Sequence, residues 1–185
     1  MKSEIIVIPQ KSTKGMESFE KGNCFEKLIR NVLELRQFEI EPNVHFTGLE
    51  VDLIATHKYD KINLYVECKA KQKVKSNEIK NFGFTVFTKK PDYAYFIHTV
   101  ELEKQAAALR IDEFDNNESF KNVTFYGPSM LIELLKDSQK IKTIPHETLG
   151  DITQQFLIVS YLGDYIIYIG QSSLAYPTFY YIFDA

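Results

Sequence analysis

Two alternating runs joined by one polar turn leave this chain little choice of local structure between Phe46 and Lys71 (FTGLEVDLIATHKYDKINLYVECKAK). In the first run Leu49, Val51, Leu53 and Ala55 alternate with Glu50, Asp52 and Ile54. After His57-Lys58-Tyr59-Asp60-Lys61, Leu64, Val66, Cys68 and Ala70 alternate with Tyr65, Glu67, Lys69 and Lys71. A period of two marks a strand with one apolar and one polar face. The pair reads as an antiparallel hairpin whose polar face carries Glu50, Asp52, Glu67 and Lys69.

A turn centred on Tyr59-Asp60 sets the register, with Asp52 opposite Glu67 and Glu50 opposite Lys69. Opposed side chains in such a pair have Cβ atoms roughly 4.5–5.5 Å apart. Two carboxylates at that distance destabilise a sheet unless positive charge sits between them. A divalent metal supplies it, with Lys69 alongside, and carboxylates, waters and phosphate oxygens are the ligands Mg²⁺ prefers. An ordinary solvated hairpin can carry the same short pattern. The apolar face behind it, and Gly48 just ahead of the first strand, favour a site.

At these residues the chain resembles the PD-(D/E)xK nuclease superfamily and, within it, the Mrr-like restriction endonucleases. Gly48-Leu49-Glu50-Val51-Asp52-Leu53-Ile54-Ala55 looks like the first catalytic strand, and Glu67-Cys68-Lys69 like the E-x-K strand after it. Val51 stands where the superfamily name has proline, a departure that Mrr-like members often share. The resemblance runs from Gly22 to Leu135. It implies a restriction-endonuclease-like α/β fold, a mixed β-sheet flanked by helices, and a metal-dependent DNA endonuclease in restriction or anti-phage defence. Asp52 and Glu67 would hold Mg²⁺, or Mn²⁺ in its place, helped by the Cys68 backbone carbonyl and by Glu26. Lys69 would orient or deprotonate the attacking water, or neutralise charge on the phosphate. The other reading is a catalytically inactive module that kept the fold for DNA binding or assembly.

Glu26 enters through the first helix. Phe25, Leu28, Ile29, Val32 and Leu33 recur at helical spacing from Asn23, a candidate N-cap, to about Gln37. In Mrr-like nucleases a glutamate after an aromatic in this helix joins the metal site, and Phe25-Glu26 matches that pair. Glu20 is a weaker candidate, and an acidic residue in a first helical turn also simply favours the macrodipole. Phe38 to Phe46 reads as a strand broken at Pro42-Asn43.

Past the hairpin, Lys69, Lys71, Lys73 and Lys75 alternate, and on an extended segment they share one face. Lys71 and Lys73 are the candidate contacts to DNA phosphates. Ser76 caps a helix to about Thr88, and Tyr93–His98 is a buried strand. Thr99 is expected to cap a helix through Glu101 to Arg110. His98, at a strand end without a sequence-local partner, suits a structural or phosphate-neighbouring role better than that of a general base. Val123–Tyr126 and a helix from Pro128 complete the α/β domain.

The chain of 185 residues divides into an N-terminal arm (1–21), the nuclease domain (22–140), and a linker with a β-rich C-terminal extension (141–185). Ile5-Ile6-Val7-Ile8 in the arm is either an edge strand or an unpaired segment. In the extension, Gly163-Asp164 signals a β-hairpin, and Tyr176 to Phe183 adds an aromatic run. Nine aromatics from Phe156 to Phe183, Tyr161, Tyr165, Tyr168, Phe179, Tyr180 and Tyr181 among them, exceed what one hairpin face buries. They point to a homo-oligomer. The stop at Asp184-Ala185 directly after an apolar run, with the frequent fusion of Mrr-like domains to NTPase-bearing defence proteins, implies a C-terminal NTPase module.

A net charge of −3 argues against coating nucleic acid by bulk charge alone, but an acidic metal site accounts for part of it. Two cysteines, Cys24 and Cys68, build no disulfide framework and fit a reducing cytoplasm. No leader pattern, no ~18-residue apolar run and no Walker-type phosphate loop occurs, so secretion, membrane spanning and ATPase activity are not expected of this chain.

Overall fold

The computed structural model describes residues 1–10, 16–46, 49–141, 151–171 and 177–183. Gly48, Tyr176, the end at Asp184-Ala185, most of the expected linker and the side chains of Phe179–Phe183 lie outside the described residues.

The central sheet has five strands: β2 (Phe38–Phe46), β3 (Leu49–His57), β4 (Asn63–Lys69), β5 (Tyr93–His98) and β6 (Val123–Tyr126), in that order. β2, β3 and β4 pair antiparallel, and β4, β5 and β6 parallel, so the sheet is mixed as expected. Helices α1 (Glu17–Leu35), α2 (Ser76–Lys89), α3 (Lys104–Arg110) and α4 (Pro128–Asp137) flank it, α3 running on into a π turn at Ile111–Asp115. No described helix is long and apolar enough to cross a membrane.

Alternation explains the layers. Val51, Leu53, Ala55, Leu64, Val66 and Cys68 are buried, as the period of two requires. Of these, Leu53, Ala55, Leu64, Val66 and Cys68 meet Phe25, Leu28, Ile29, Val32 and Leu33 of α1 and the apolar stripe of α4 in one core. On the opposite face Ala94, Phe96 and Phe125 pack with Ile79, Phe82 and Val86 of α2 and with Phe114.

A second sheet, order β1-β7-β8-β9, backs α1 and α4. Its strands are β1 (Lys2–Ile8), β7 (Asp151–Ser160), β8 (Gly163–Gln171) and β9 (Pro177–Phe183). β1 lies parallel to β7, so the apolar run near the N-terminus is an edge strand joined to the C-terminal segment. Ile5, Leu157, Val159, Ile166 and Tyr168 enter the same core as α1 and α4.

Several local expectations need correction, and Ser76 opens α2 behind Lys75 rather than capping it. Helix α1 begins at Glu17 behind Met16, so Asn23 lies inside the helix and caps nothing. Its first turns leave Phe19 61% exposed, so the apolar periodicity starts only after the helix does. β2 is not broken: Asn43 takes a positive φ of 51°, yet Pro42 pairs with Leu53 and Val44 with Val51 in one register. An edge strand tolerates proline because no neighbour needs its missing N–H. Thr99 does not cap α3, which starts at Lys104: the chain bends at Thr99-Val100 and bridges from Leu102 to Val74 before the helix begins. The β7–β8 turn falls on Tyr161-Leu162, with Ser160 paired to Gly163. Gly163, at φ 146°, opens β8 in a region that favours glycine.

Candidate active site

The β3–β4 hairpin closes in the expected register, with Leu53 opposite Val66 and Ala55 opposite Leu64. The turn is held by the His57 N–H to the Ile62 carbonyl at 2.9 Å and the Lys61 N–H to the His57 carbonyl at 3.1 Å. Beyond Leu53–Val66 the ladder stops. There the Asp52 carboxylate takes over from the backbone and accepts the Cys68 N–H at 2.7 Å.

Asp52 and Glu67 reach the same ammonium. Lys69 Nζ contacts Glu67 Oε1 and lies 3.7 Å from Asp52 Oδ2, with all three side chains four-fifths or more covered. The expected neighbour of Lys69 was Glu50. Instead Glu50 faces His45 across β2, at 4.0 Å, because the hairpin strands part before that pair can form.

Burial pushes the Glu67 carboxyl up to about 7, and the nearby Asp52 charge adds to it, against the pull of Lys69. Burial alone would lower the Lys69 ammonium, but Glu67 and Asp52 hold it above its ordinary value. Glu26 is half-buried on α1, its carboxyl raised by burial and then by Asp52, and it feels Lys69 in the opposite sense. The fold therefore brings Glu26 within electrostatic reach of Asp52 and Lys69. Cys68 turns its thiol into the core, and burial raises it well above the usual thiol range.

Among the described residues no group of three or more His, Cys, Asp or Glu side chains closes around one point as a metal cage. The smaller set of two carboxylates and a main-chain carbonyl suits a hard divalent cation that keeps waters and takes phosphate oxygens. In an extended strand a residue's N–H and C=O leave the same edge, so the Cys68 carbonyl points from the edge that Asp52 caps. Asp52 and Glu67 share one ammonium here, with the Glu26 carboxyl in electrostatic reach of it. These residues fit a divalent metal.

Lys71 and Lys73 do not continue the strand, because β4 ends at Lys69 and the chain bends at Lys71 and Gln72. Both lysines are exposed, Lys71 paired with Glu78 and Lys73 with Glu103 at 3.5 Å. Burial would raise the Glu78 carboxyl, but the hydrogen bonds from Lys71 and from the Lys75 N–H bring it below its ordinary value. That second bond caps α2, as a glutamate three residues into a helix commonly does.

Two residues behind the site support β4. Thr99 donates its N–H to the Lys69 carbonyl at 3.1 Å, and its hydroxyl lies 3.4 Å from the Lys69 and Lys71 carbonyls. His98 pairs in register with Lys69, is 2% exposed, and bonds through Nδ1 to the Val100 carbonyl. A carbonyl cannot donate, so Nδ1 carries the proton. Nothing in the sequence marked Thr99 for this role, since its partners lie about 30 residues earlier.

A family model for the restriction endonuclease domain Mrr_cat matches residues 19–121. The chain belongs to that family. The match takes in α1 through the 3₁₀ turn at Glu118–Phe120, and so Glu26, Asp52, Glu67 and Lys69. It makes this a nuclease domain of the restriction endonuclease type, with the fold class expected from the sequence. Among solved structures, AF1548, a protein of unknown function, is similar at a TM-score of 0.47 and 17% identity, over 68% of this chain and 74% of that one. Pyrococcus furiosus SfsA in complex with Ca²⁺ is similar at 0.34 and 19%, over 80% and 61%. No curated protein matches the chain.

Proposed function

We propose that this Mrr_cat domain is a metal-dependent endonuclease that hydrolyses phosphodiester bonds in DNA. The observation that carries the reading is the single ammonium of Lys69 held between Asp52 and Glu67 at the open end of the β3–β4 ladder. Asp52 and Glu67, with the Cys68 carbonyl and Glu26 behind them, would hold Mg²⁺ or Mn²⁺. Once bound, the metal supplies positive charge at the scissile phosphate and makes water a stronger acid.

The chain's own groups do the rest. Asp52 is oriented by the Cys68 N–H, so one carboxylate oxygen is fixed before substrate arrives. Lys69 presents a protonated ammonium beside the place where charge develops on the phosphate, and stabilises it there. Lys71 and Lys73 are exposed next to the site and exchange Glu78 and Glu103 for backbone phosphates. We take residues 22–140 as the nuclease unit, and restriction of foreign DNA in the cytoplasm as its setting. The family supports the first role, and the two free cysteines Cys24 and Cys68 suit the reducing compartment. A C-terminal NTPase partner belongs to this proposal on the family resemblance alone.

The test is cleavage of supercoiled plasmid with and without Mg²⁺ by the wild type, Asp52→Asn, Glu67→Gln and Lys69→Gln. The reading expects metal-dependent nicking by the wild type and a loss of about 100-fold or more in each variant. Equal cleavage by folded variants refutes it. Metal-indifferent DNA binding without turnover returns the inactive module.

A further inference from the structure

The second sheet has two unlike faces. Inward, Leu157, Val159 and Ile166 are 0–1% exposed against α1 and α4. Outward, the register puts Ile6 beside Ile158, and Phe156 beside Ile167. Ile6 and Ile8 stand 43% and 45% exposed, and Phe156, Ile158, Ile167 and Ile169 are only partly covered. β9 continues the sheet, with Phe179 and Tyr181 at the register positions of Ile169 and Ile167. The charges at this face's register positions among the described residues are Lys2 and Glu4, which pair with each other at 2.6 Å at the β1 edge, and Asp151, opposite Gln171 at the end of β7.

We propose that this outer face is an interface between two copies of the chain. A face whose charges stand at its margins, a mutually paired Lys2 and Glu4 and one acidic residue at the start of β7, carries among the described residues no free cation for nucleic acid and no pattern for a charged partner. It is complementary to itself, and two twisted sheets stack face to face about a two-fold axis with strands within about 30° of alignment. Its size also fits. Four strands ~4.8 Å apart and about seven residues of ~3.3 Å each give a footprint of roughly 19 by 23 Å, before side chains corrugate it. That supplies the apolar centre of an interface of about 800 Å² per partner, with Lys2, Glu4, Gln154 and Ser160 as polar rim.

The layering has a consequence for the nuclease. From one central sheet to the other, the path crosses a helix layer and a second sheet in each copy. At ~10 Å per layer the two active sites stand about 50 Å apart. This dimer therefore does not place two sites on opposed phosphates of one duplex, and plasmid should pass through a nicked circle.

The experiment is light scattering after gel filtration of the full chain from one to one hundred micromolar, on the wild type, Ile158→Glu, Ile167→Lys and Ile8→Lys. The expected wild-type mass is twice the 21.5 kDa of one chain, falling to a single chain in the variants. Ile8→Lys, at an exposed strand end, is the variant least able to disturb folding. A wild type that stays at one chain throughout overturns the proposal and leaves the face to a different protein. A dimer that persists in folded Ile8→Lys and Ile158→Glu overturns it in favour of another surface.

Discussion

The Asp52 carboxylate accepts the Cys68 N–H at 2.7 Å, so the side chain that ends the β3–β4 ladder is also one of the two carboxylates at Lys69. Substitutions at Asp52 should separate the two roles. Asn keeps an acceptor oxygen, and Asp52→Asn should melt close to wild type while losing metal-dependent cleavage. Asp52→Ala leaves the Cys68 N–H without its partner and should cost about 1–3 kcal/mol of stability in chemical denaturation. Equal stability of the two variants would show that the bond contributes nothing to the fold.

Lys69 neutralises a site with more carboxylates than cations. Removing it as Lys69→Ala should lower the melting temperature of the metal-free protein, since two largely covered carboxylates lose their counter-charge. Added Mg²⁺ should restore much of that loss, without restoring cleavage. Calorimetric melts with and without metal, run beside the plasmid assay, read both.

Glu67 predicts a pH dependence. Its carboxyl is raised from 4.5 to about 7 in the metal-free chain, so the fold favours the protonated form. The resulting stabilisation is complete below about pH 4.5 and is lost as pH rises through about 7. The metal-free wild type should lose melting temperature between pH 5 and 8 relative to Glu67→Gln, which cannot titrate. Under the proposed function Mg²⁺ would bind the ionised carboxylate, so its stabilising effect should be larger at pH 8 than at pH 5. Parallel pH profiles for the two proteins would contradict this.

Thr99 is a positioning residue for β4. Thr99→Val keeps the shape and the N–H bond to Lys69 but removes a hydroxyl shared at 3.4 Å by two carbonyls. The cost to stability should be about 1 kcal/mol. Cleavage should show a lower kcat at nearly unchanged KM, because Lys69 is displaced and the exposed Lys71 and Lys73, the proposed phosphate contacts, are not. A change in KM alone would mean that Thr99 acts on binding.

Gly83 tests the packing under α2. A Cβ there would come 2.7 Å from Phe114 Cζ, inside a ring cluster of Phe82, Phe114 and Phe125. Gly83→Ala should destabilise by about 1–3 kcal/mol in denaturant titration, although alanine is the better helix former. A more stable variant would show that the ring can move aside.

What was legible in the sequence was local. Alternation around Tyr59-Asp60 gave both strands, their inner faces and a register that puts Asp52 and Glu67 on one side, because a period of two leaves a half-buried hairpin no other solution. The same patterning located α1, α2 and α4 by their apolar stripes. Wherever the partner lay far along the chain, the pattern was silent. Pairing of β1 with β7 joins segments about 150 residues apart, and neither strand carries a mark of the other. Thr99 looked like a helix cap because its local chemistry suits one, yet the carbonyls of Lys69 and Lys71 claimed it once β5 lay beside β4. The Lys71–Lys73 track assumed an extended chain, and the chain bends at Lys71 and Gln72 instead. Glu50 lost Lys69 for a similar reason: a side chain, Asp52, displaced the backbone as partner of Cys68 and parted the strands there. Periodicity encodes which face a residue takes, whereas the partner it meets depends on how distant segments close over the core.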